Sequence, residues 1–376
     1  MGHVYTPGLK VTEYTKVSKR RILPLKGKVL VEVGQEVAPK DVVAKTELPG
    51  SVNQISASNL LGCDPEYLDS YLTVKMKQPL KKNDIFIQNK GFLGTGLFKT
   101  SLRMPFDGYV ESISNVTGNI LVRANPVPVE VTAYLAGKVT EIIPEEGVVV
   151  ESNASFIQGI FGIGGERFGP IVVVTPDPDS DITEDLVEES HRGKILVCGR
   201  RITAKAFYKA MNIGVKGIVG GGVDDRDLRE ILGMDIGVAI TGSEDIATTL
   251  IITEGFGNIP MAKRTFELLK KYEGKDASIN GATQIRAGVI RPEIVITQPK
   301  PPEGFTEPVE TKVGLSIGSA IRAIRAPYFG MLGKVIELPP ELRVLESESK
   351  ARVLKIRFTD GTEAIIPRAN VETIEM

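Results

Sequence analysis

Two short groups of residues in the middle of the chain have the types and spacing of an anion-binding site. Thr241-Gly242-Ser243 follows one apolar segment, and Gly255 to Asn258 follows the next and precedes Lys263 and Arg264. Backbone amides at the start of a helix, together with two cations, favour an anion. Because ligands of α/β sheets lie at the carboxyl ends of the strands, we expect a small anionic ligand between the two groups.

The residues of this expected ligand site are Thr241, Gly242, Ser243, Gly255, Gly257, Asn258, Lys263 and Arg264. The alternative is that both groups are ordinary turns between a strand and a helix. Gly220-Gly221-Gly222 also stands between a strand and a helix, but three aspartates follow it closely. Because carboxylates at a helix start repel phosphate, we interpret the three glycines as a tight turn.

A second candidate is a basic patch near the end of the chain, formed by Arg322, Arg325 and Lys334. Residues 309–376 carry ten basic and nine acidic side chains. Such a balance neutralises little phosphate. We therefore favour a protein partner for this patch, with RNA as the alternative.

Residues suited to catalysis or metal binding are scarce. The chain has two Cys and two His, which excludes a disulfide framework and a multi-cysteine zinc or iron–sulfur site. Cys198 lies in an apolar stretch and is expected to be buried, whereas His191 lies in a polar run that is typical of a surface loop. We assign no catalytic residue, no metal and no cofactor. The sequence therefore does little to indicate an enzyme.

The composition is that of an ordinary folded protein. The 376 residues have 46 basic and 47 acidic side chains, which excludes an overall polybasic nucleic-acid or membrane binder. No apolar run approaches the ~18 residues that span a membrane, and the chain start lacks an apolar signal segment. We expect a cytoplasmic protein without membrane contact. Residues 10–28 are rich in Lys and Arg, and they either bind an anionic partner or are balanced by acidic residues elsewhere.

The middle of the chain alternates strand-like and helix-like segments. Helices are expected over Thr203–Met211, Asp225–Leu232 and Pro260–Tyr272, between apolar runs such as Leu250-Ile251-Ile252 and Ile236–Ile240. This alternation predicts a parallel sheet in an α/β domain over about residues 185–275, inserted into a β region.

Two repeats indicate small β modules. Residues 37–44 and 80–87 share an apolar residue, a polar turn ending in Asp, and an apolar strand, at an offset of 43 residues. A Gly-x-Val-x-x-(Ile/Leu) hairpin signature begins at Gly108, Gly137 and Gly333. Glycine permits the tight turn, and the following residues alternate between the two faces of a strand.

The first 135 residues resemble the barrel-sandwich hybrid of biotinyl and lipoyl carriers and of RnfC-like electron-transport subunits. The resemblance rests on Val29 to Val37, on Asp41-Val42-Val43-Ala44 and on Met104 to Val110. In such carriers the modified lysine lies about eight residues before the Pro, where this chain has Leu97. The cluster-binding cysteines of the RnfC type are also missing. The resemblance therefore implies the scaffold without the prosthetic group or the electron transport.

Residues 328–376 resemble a KOW or SH3-like barrel, on Gly330 to Val335, Val353 to Gly361 and Ile366 to Glu372. Such barrels bind RNA, ribosomes, polymerase or other proteins, so the resemblance implies a binding module. The arrangement as a whole also resembles a bacterial multi-domain family to which no activity is attached.

These observations predict an α+β multi-domain protein. We expect a barrel-sandwich-hybrid-like β domain over residues 1–135, a β region over 136–297 holding the inserted α/β domain, a Pro-rich linker over 298–308, and a KOW/SH3-like barrel over 309–376. The expected function is a non-enzymatic cytoplasmic scaffold or adaptor that binds a protein partner and takes a small anionic ligand in the α/β domain. The alternatives are an RNA- or ribosome-associated factor and an enzyme acting on a small anionic metabolite. Whether the chain forms a homo-oligomer is left open by the sequence.

Overall fold

The computed structural model describes residues 9–89, 99–233, 246–283, 290–303, 305, 315–325, 327–328, 330–344 and 350–373. The chain is mostly β, and its strands are divided among several sheets with a smaller helical part. This agrees with the predicted α+β class.

The strands of the first half are β1 (Val11–Ile22), β2 (Lys28–Val29), β3 (Glu36–Val37), β4 (Val42–Leu48), β5 (Val52–Ile55), β6 (Ile85–Gln88), β7 (Ser101–Arg103), β8 (Gly108–Ile113), β9 (Ile120–Ala124), β10 (Val127–Thr132), β11 (Gly137–Ile143), β12 (Gly147–Gln158), β13 (Phe161–Ile163) and β14 (Glu166–Val173). The strands of the second half are β15 (Ile195–Val197), β16 (Arg201–Ile202), β17 (Gly217–Val223), β18 (Thr249–Phe256), β19 (Asp276–Asn280), β20 (Glu293–Thr297), β21 (Ala320–Ala323), β22 (Leu332–Glu337), β23 (Leu342–Val344), β24 (Lys350–Phe358), β25 (Glu363–Pro367) and β26 (Val371–Thr373). The helices are α1 (Ala57–Leu61), α2 (Leu68–Tyr71), α3 (Ala204–Ile213), α4 (Asp225–Leu232) and α5 (Lys263–Lys271), with 3₁₀ turns at Pro65–Tyr67, Glu184–Leu186, Glu189–His191 and Arg368–Asn370.

A twelve-stranded sheet forms the largest part of the fold, in the order β13-β18-β17-β15-β14-β19-β20-β12-β11-β3, with β1 beside β12 and β16 beside β17. Within it, β14, β15, β17 and β18 run parallel to their neighbours in this group. The prediction of a parallel sheet in the middle of the chain is therefore confirmed. The expected strand at 236–240 lies outside the described residues.

The helices beside the parallel strands match the sequence pattern with one exception. Helix α3 begins after Thr203, whose hydroxyl accepts a hydrogen bond from the Ala206 amide, and α4 has the expected bounds. Helix α5 begins at Lys263, three residues later than expected, with Ala262 as the N-cap residue. Before the helix, the Met261 amide donates to the Gly199 carbonyl at 2.7 Å, so this segment is attached to the loop after β15.

The repeat with an offset of 43 residues forms the same turn twice. In the first copy the Ala38 amide donates to Oδ2 of Asp41 at 2.8 Å, and in the second copy the Lys81 amide donates to Oδ2 of Asp84 at 2.9 Å. The turn before each follows the same rule, because Gln35 Oε1 and Gln78 Oε1 each accept a backbone amide from three residues earlier. In each turn a side-chain oxygen thus binds the backbone amide of the residue three positions earlier.

Two of the three glycine hairpins form β-pairs with the residues next to these two Asp turns. Gly137 pairs with Val37, and Gly108 forms the corresponding bridge with Leu80. Gly108 and Gly137 each open a strand, whereas Gly333 is the second residue of β22. In all three hairpins the pairing register shifts directly after the Val, as a β-bulge does.

The C-terminal strands form a six-stranded sheet in the order β23-β24-β22-β21-β26, with β25 beside β24. Its own core is apolar, and Ile324 reaches out of it into the core between the parallel strands and helices α3 and α4. The Gly330 backbone lies against the ring of Phe256, since a Cβ at Gly330 would stand 2.8 Å from that ring. The C-terminal sheet is therefore docked on the end of β18.

The described part of the Pro-rich segment is in contact with the large sheet. Gln298 donates its amide to the Asn153 carbonyl at 2.8 Å and its side chain to Ser155 Oγ at 2.7 Å. The ring of Phe305 packs edge-on against Tyr14, with centroids 5.5 Å apart.

Candidate functional site

The second group of the expected anion site is placed where β18 ends, and two backbone donors beside it already have partners. The Gly257 amide donates to the Val223 carbonyl at 2.8 Å, and the Ala262 amide donates to Oε1 of Glu254 at 3.1 Å. Asn258, Lys263 and Arg264 are exposed beside this turn. The first group, Thr241, Gly242 and Ser243, lies outside the described residues.

The start of helix α5 therefore carries a carboxylate of the chain itself. Glu254 accepts the Ala262 amide at the start of the helix, where a negative charge is favoured by the helix dipole. Gly255 lies against the C-terminal sheet, since a Cβ there would stand 2.9 Å from the Gly330 carbonyl oxygen. Because Thr241, Gly242 and Ser243 lie outside the described residues, the expected ligand site stays a prediction; what no sequence pattern indicated is that Glu254 folds back onto the start of α5.

The three glycines lie within strand β17 and not in the tight turn interpreted from the sequence, and they have a packing role. A Cβ at Gly221 would stand 2.3 Å from the Ile259 carbonyl oxygen, and one at Gly222 would stand 2.4 Å from the Gly257 carbonyl oxygen. Side chains at these positions would push away the segment that crosses the strand. The carboxyl end of β17, where an α/β sheet ordinarily binds its ligand, is thus covered by the chain's own backbone.

A cluster of paired charges joins β18 to the C-terminal sheet. Arg322 on β21 donates from Nη2 to Glu254 at 2.9 Å and from Nη1 to Glu372 on β26 at 3.2 Å. Arg291 pairs with the other oxygen of Glu372. The side chains of Arg322 and Glu372 are 1% and 0% exposed, so these charges are sealed from water. We refer to Arg291, Glu372, Arg322 and Glu254 as the interface ion cluster.

The interface ion cluster is neutral, with two guanidinium groups and two carboxylates. Within the described residues, two of its buried donors have no hydrogen-bond partner: Nε of Arg322 and Nη1 of Arg291. Buried ion pairs gain little net stability, because desolvation offsets the attraction, but removing one partner leaves an uncompensated charge and is costly. The cluster therefore fixes how the two sheets meet.

The expected basic patch loses one of its three residues, Arg322, to the interface ion cluster. Arg322 is buried, so its side chain does not contribute to a surface patch. Arg325 and Lys334 are exposed, and neither has a hydrogen bond or ion pair with the rest of the described chain. Glu254, Arg291 and Glu372 were not singled out from the sequence. The available signal was a charged residue within a short apolar strand, as in Ala320-Ile321-Arg322-Ala323.

A second group of paired charges surrounds Tyr134. Lys19 and Arg21 on β1 pair with Glu293 at 2.5 Å and with Glu166 in a two-bonded contact at 2.6 and 2.7 Å. The Arg21 guanidinium also stands over the Tyr134 ring. We refer to these five residues as the Tyr134 cluster.

Tyr134 itself is strained and buried. Its φ of 66° lies in the left-handed region that side chains other than glycine rarely adopt. Burial, together with the nearby carboxylates of Glu293 and Glu166, raises the pKa of its phenol well above the ordinary value. The phenol is therefore held in its neutral form.

Four of the seven basic residues near the start of the chain form ion pairs with acidic residues elsewhere in the fold. Besides Lys19 and Arg21, Lys16 pairs with Glu151 and Lys26 pairs with Glu145. Of the two interpretations of this segment, charge balance by acidic residues elsewhere is the one that the structure supports.

Neither His191 nor Cys198 is placed for catalysis. His191 is 9% exposed, contrary to the expected surface loop, because Nδ1 accepts a hydrogen bond from the Glu188 amide within a capping box. Burial lowers the pKa of His191. Burial raises the pKa of the Cys198 thiol far above its ordinary value, which keeps it unreactive, as its apolar surroundings indicated.

One further motif is present in the sequence and has no catalytic setting. Gly314-Leu315-Ser316-Ile317-Gly318 has the spacing of a nucleophile elbow, which requires a turn from a strand into a helix. Ser316 instead precedes strand β21, and its hydroxyl lies 2.9 Å from that of Ser319. Among the described residues, no group of His, Cys, Asp and Glu is arranged to hold a metal ion.

No protein-family model matches the sequence, and no curated protein matches it either. Of the helices that the structure describes, none is long and apolar enough to cross a membrane.

Proposed function

We propose that the chain is a non-enzymatic scaffold or adaptor, in which the C-terminal sheet is held in a fixed orientation to bind a protein partner. The observation that carries this proposal is the interface ion cluster. The buried Arg322 and two carboxylates join strands β18, β21 and β26, and Arg291 adds a second guanidinium, so the docked sheet is not a loosely tethered module. A fixed orientation is what a scaffold needs and what a flexible linker would not provide.

The chain segment that lies against Gly221 and Gly222 of β17 supports the same proposal. In the described part of the chain, the segment that follows β18 covers the end of β17, and Glu254 occupies the start of α5. An enzyme acting on a small anion would need that edge of the sheet free.

The finer folds expected from the resemblances remain part of the proposal. The order β26-β21-β22-β24-β25, with a 3₁₀ turn directly before the last strand, supports the proposed SH3-like barrel and with it a binding module at the C-terminus. The doubled Asp turn, each copy paired with its own glycine hairpin, supports a barrel-sandwich-hybrid-like scaffold in the first 135 residues.

The partner surface that we propose includes Arg325 and Lys334. Both side chains are exposed and lack ion pairs within the described chain, so both are available to carboxylates of a partner. Other charges of the same sheet are already paired: Glu363 binds both Lys355 and Arg357. Exposed, unpaired charges raise the association rate and set the choice of partner.

The test is purification of the tagged full chain from its native cells, with identification of bound proteins, RNA and small molecules. We expect a protein that is retained by the wild type and lost by the double variant Arg325→Glu/Lys334→Glu. Arg343→Glu, which reverses another exposed charge of the same sheet, is the matched control and should retain the protein.

The other outcomes identify the alternatives. A partner that disappears on ribonuclease treatment would favour the RNA- or ribosome-associated factor, for which the exposed Arg325 and Lys334 are also suited. A bound metabolite that the chain converts would favour the enzyme. Loss of the protein from the control as well would show that the patch does not select it.

A further inference from the structure

A different part of the molecule combines exposed apolar side chains with a local excess of acid. Helices α1 and α2, with the 3₁₀ turn between them, form a corner over residues 57–71, and the tip of the β8–β9 hairpin lies over residues 114–118. Three exposed apolar side chains lie on these two segments: Leu60 (57%), Tyr67 (57%) and Val116 (90%). We refer to the two segments together as the helical corner.

The two segments of the helical corner are in direct contact. The Ser58 amide donates to the Gly118 carbonyl at 3.0 Å, and the side chain of Asn115 donates to Asp69 at 2.5 Å. A Cβ at Gly118 would stand 2.0 Å from Ser58 Oγ and 3.3 Å from Pro65, so the hairpin tip lies tightly against the corner. The exposed apolar residues are each within two positions of these contacts, which makes them neighbours on one surface.

The charge of this region is one-sided. Residues 46–74 and 104–122 contain no Lys or Arg, although the chain as a whole carries 46 of them. On the corner itself, Asp64, Glu66 and Asp69 are all exposed. The apolar residues are therefore surrounded by carboxylates without a basic residue of the same segments to pair them.

We propose that the helical corner is a docking surface for a basic protein segment, in which apolar side chains flanked by Lys or Arg cover Leu60, Tyr67 and Val116. Apolar residues at the centre with complementary charge at the rim are the usual anatomy of a protein interface, and Tyr is a favoured anchor in it. The same charge would repel a nucleic acid, an anionic lipid surface, or the same corner of a second copy. This inference rests on the proposed function, because it supplies a second partner surface to the scaffold.

The test uses the full chain and a defined probe, a fluorescent amphipathic peptide made only of leucine and lysine. A peptide in which glutamate replaces lysine is the control for charge. We expect the wild type to bind the lysine peptide, with an affinity that falls as salt is raised, and to bind the glutamate peptide at least about tenfold more weakly.

Variants then locate the site. We expect Val116→Ser and Glu66→Lys each to weaken binding about fivefold or more, because one removes an apolar contact and the other removes charge complementarity. The matched controls are Ile365→Ser and Glu141→Lys, which make the same changes at exposed positions elsewhere and should bind as the wild type does. Thermal unfolding of each variant checks that the fold is kept.

Three results would overturn the inference: no binding of the lysine peptide, equal binding of the glutamate peptide, or equal binding by corner and control variants. Self-association in sedimentation velocity that Val116→Ser abolishes would also overturn it, in favour of a second copy as the occupant. Failure here is distinguishable from failure of the proposed function, because the natural partner of that proposal depends on Arg325 and Lys334. If Arg325→Glu/Lys334→Glu loses the natural partner while the corner variants do not bind differently from the wild type, only the docking surface is wrong.

Discussion

The interface ion cluster and the Tyr134 cluster use the same kinds of side chain in different surroundings. In the interface ion cluster, the charges of Arg322 and Glu372 are sealed from water and join two sheets. In the Tyr134 cluster, Arg21 and Glu166 are 13% and 33% exposed and join strands of one sheet. Because water screens the second pair and not the first, loss of a partner should cost far more at the interface. The ion pairs of the interface ion cluster thus dock the C-terminal sheet on the large sheet, whereas those of the Tyr134 cluster only add stability within the large sheet.

The largest expected effect is that of Arg322→Ala. This change leaves Glu372 with one cationic partner and Glu254 with none from the C-terminal sheet, so we expect the free energy of unfolding to fall by about 3–5 kcal/mol. Urea denaturation is the measurement, with Arg325→Ala as the exposed control on the same segment. A loss no greater than that of the control would contradict the role given to the cluster.

A smaller effect is expected from Arg21→Ala. The variant loses the two-bonded contact with Glu166 and a hydrogen bond to the Thr132 carbonyl in a half-buried setting, which should cost about 1–2 kcal/mol. The neighbouring Arg20→Ala is the matched control, since Arg20 is exposed. If Arg21→Ala lowers the free energy of unfolding as much as Arg322→Ala does, the exposure of an ion pair does not determine how much it stabilises this protein.

His191 lies in neither cluster and supplies a pH-dependent reference. Its pKa is lowered in the folded state, chiefly by burial, so the unfolded chain binds a proton more readily. The stability contributed by the neutral imidazole is therefore complete above the ordinary pKa of 6.5 and is lost as pH falls below it towards the folded pKa. Denaturation curves measured across this range should show the decline in the wild type and a flatter profile in His191→Gln. An unchanged slope in the variant would refute this assignment.

The smallest effect is expected at the exposed pair of Lys26 and Glu145. Hydrogen bonding to Lys26 lowers the pKa of Glu145, yet both side chains are well exposed. Lys26→Ala should return the pKa of Glu145 towards 4.5, measured by NMR titration, without a measurable change in melting temperature. A clear drop in melting temperature would show that the exposure of an ion pair does not predict its contribution to the stability of this protein.

Local pattern predicted much of the fold. The 43-residue repeat and the glycine hairpins predicted small β units, and the structure forms them with matching turns because Asp41 and Asp84 each close their turn locally. The parallel strands and helices α3 and α4 followed from apolar runs and N-cap residues in the same way.

What the sequence could not predict depends on residues far apart in the chain. Glu254 and Arg322 are 68 positions apart, and no local pattern indicates that they pair. The place of Glu254 at the start of α5 rests on a shorter-range contact, with the Ala262 amide eight positions along the chain, which no residue pattern indicated either; the expected anion site itself stays a prediction. Arg322 was likewise assigned to the surface, because its burial depends on how the C-terminal sheet meets β18.

The most direct test of the account is the distance between the C-terminal sheet and the α/β layer in solution. Spin labels are placed at the exposed positions of Lys205→Cys on α3 and Thr359→Cys beside β24, in a Cys63→Ser background in which Cys198 is buried and unreactive. Pulsed electron paramagnetic resonance should give one narrow distance distribution in the wild type and a broad one in Arg322→Ala. A broad distribution in the wild type would contradict a fixed scaffold.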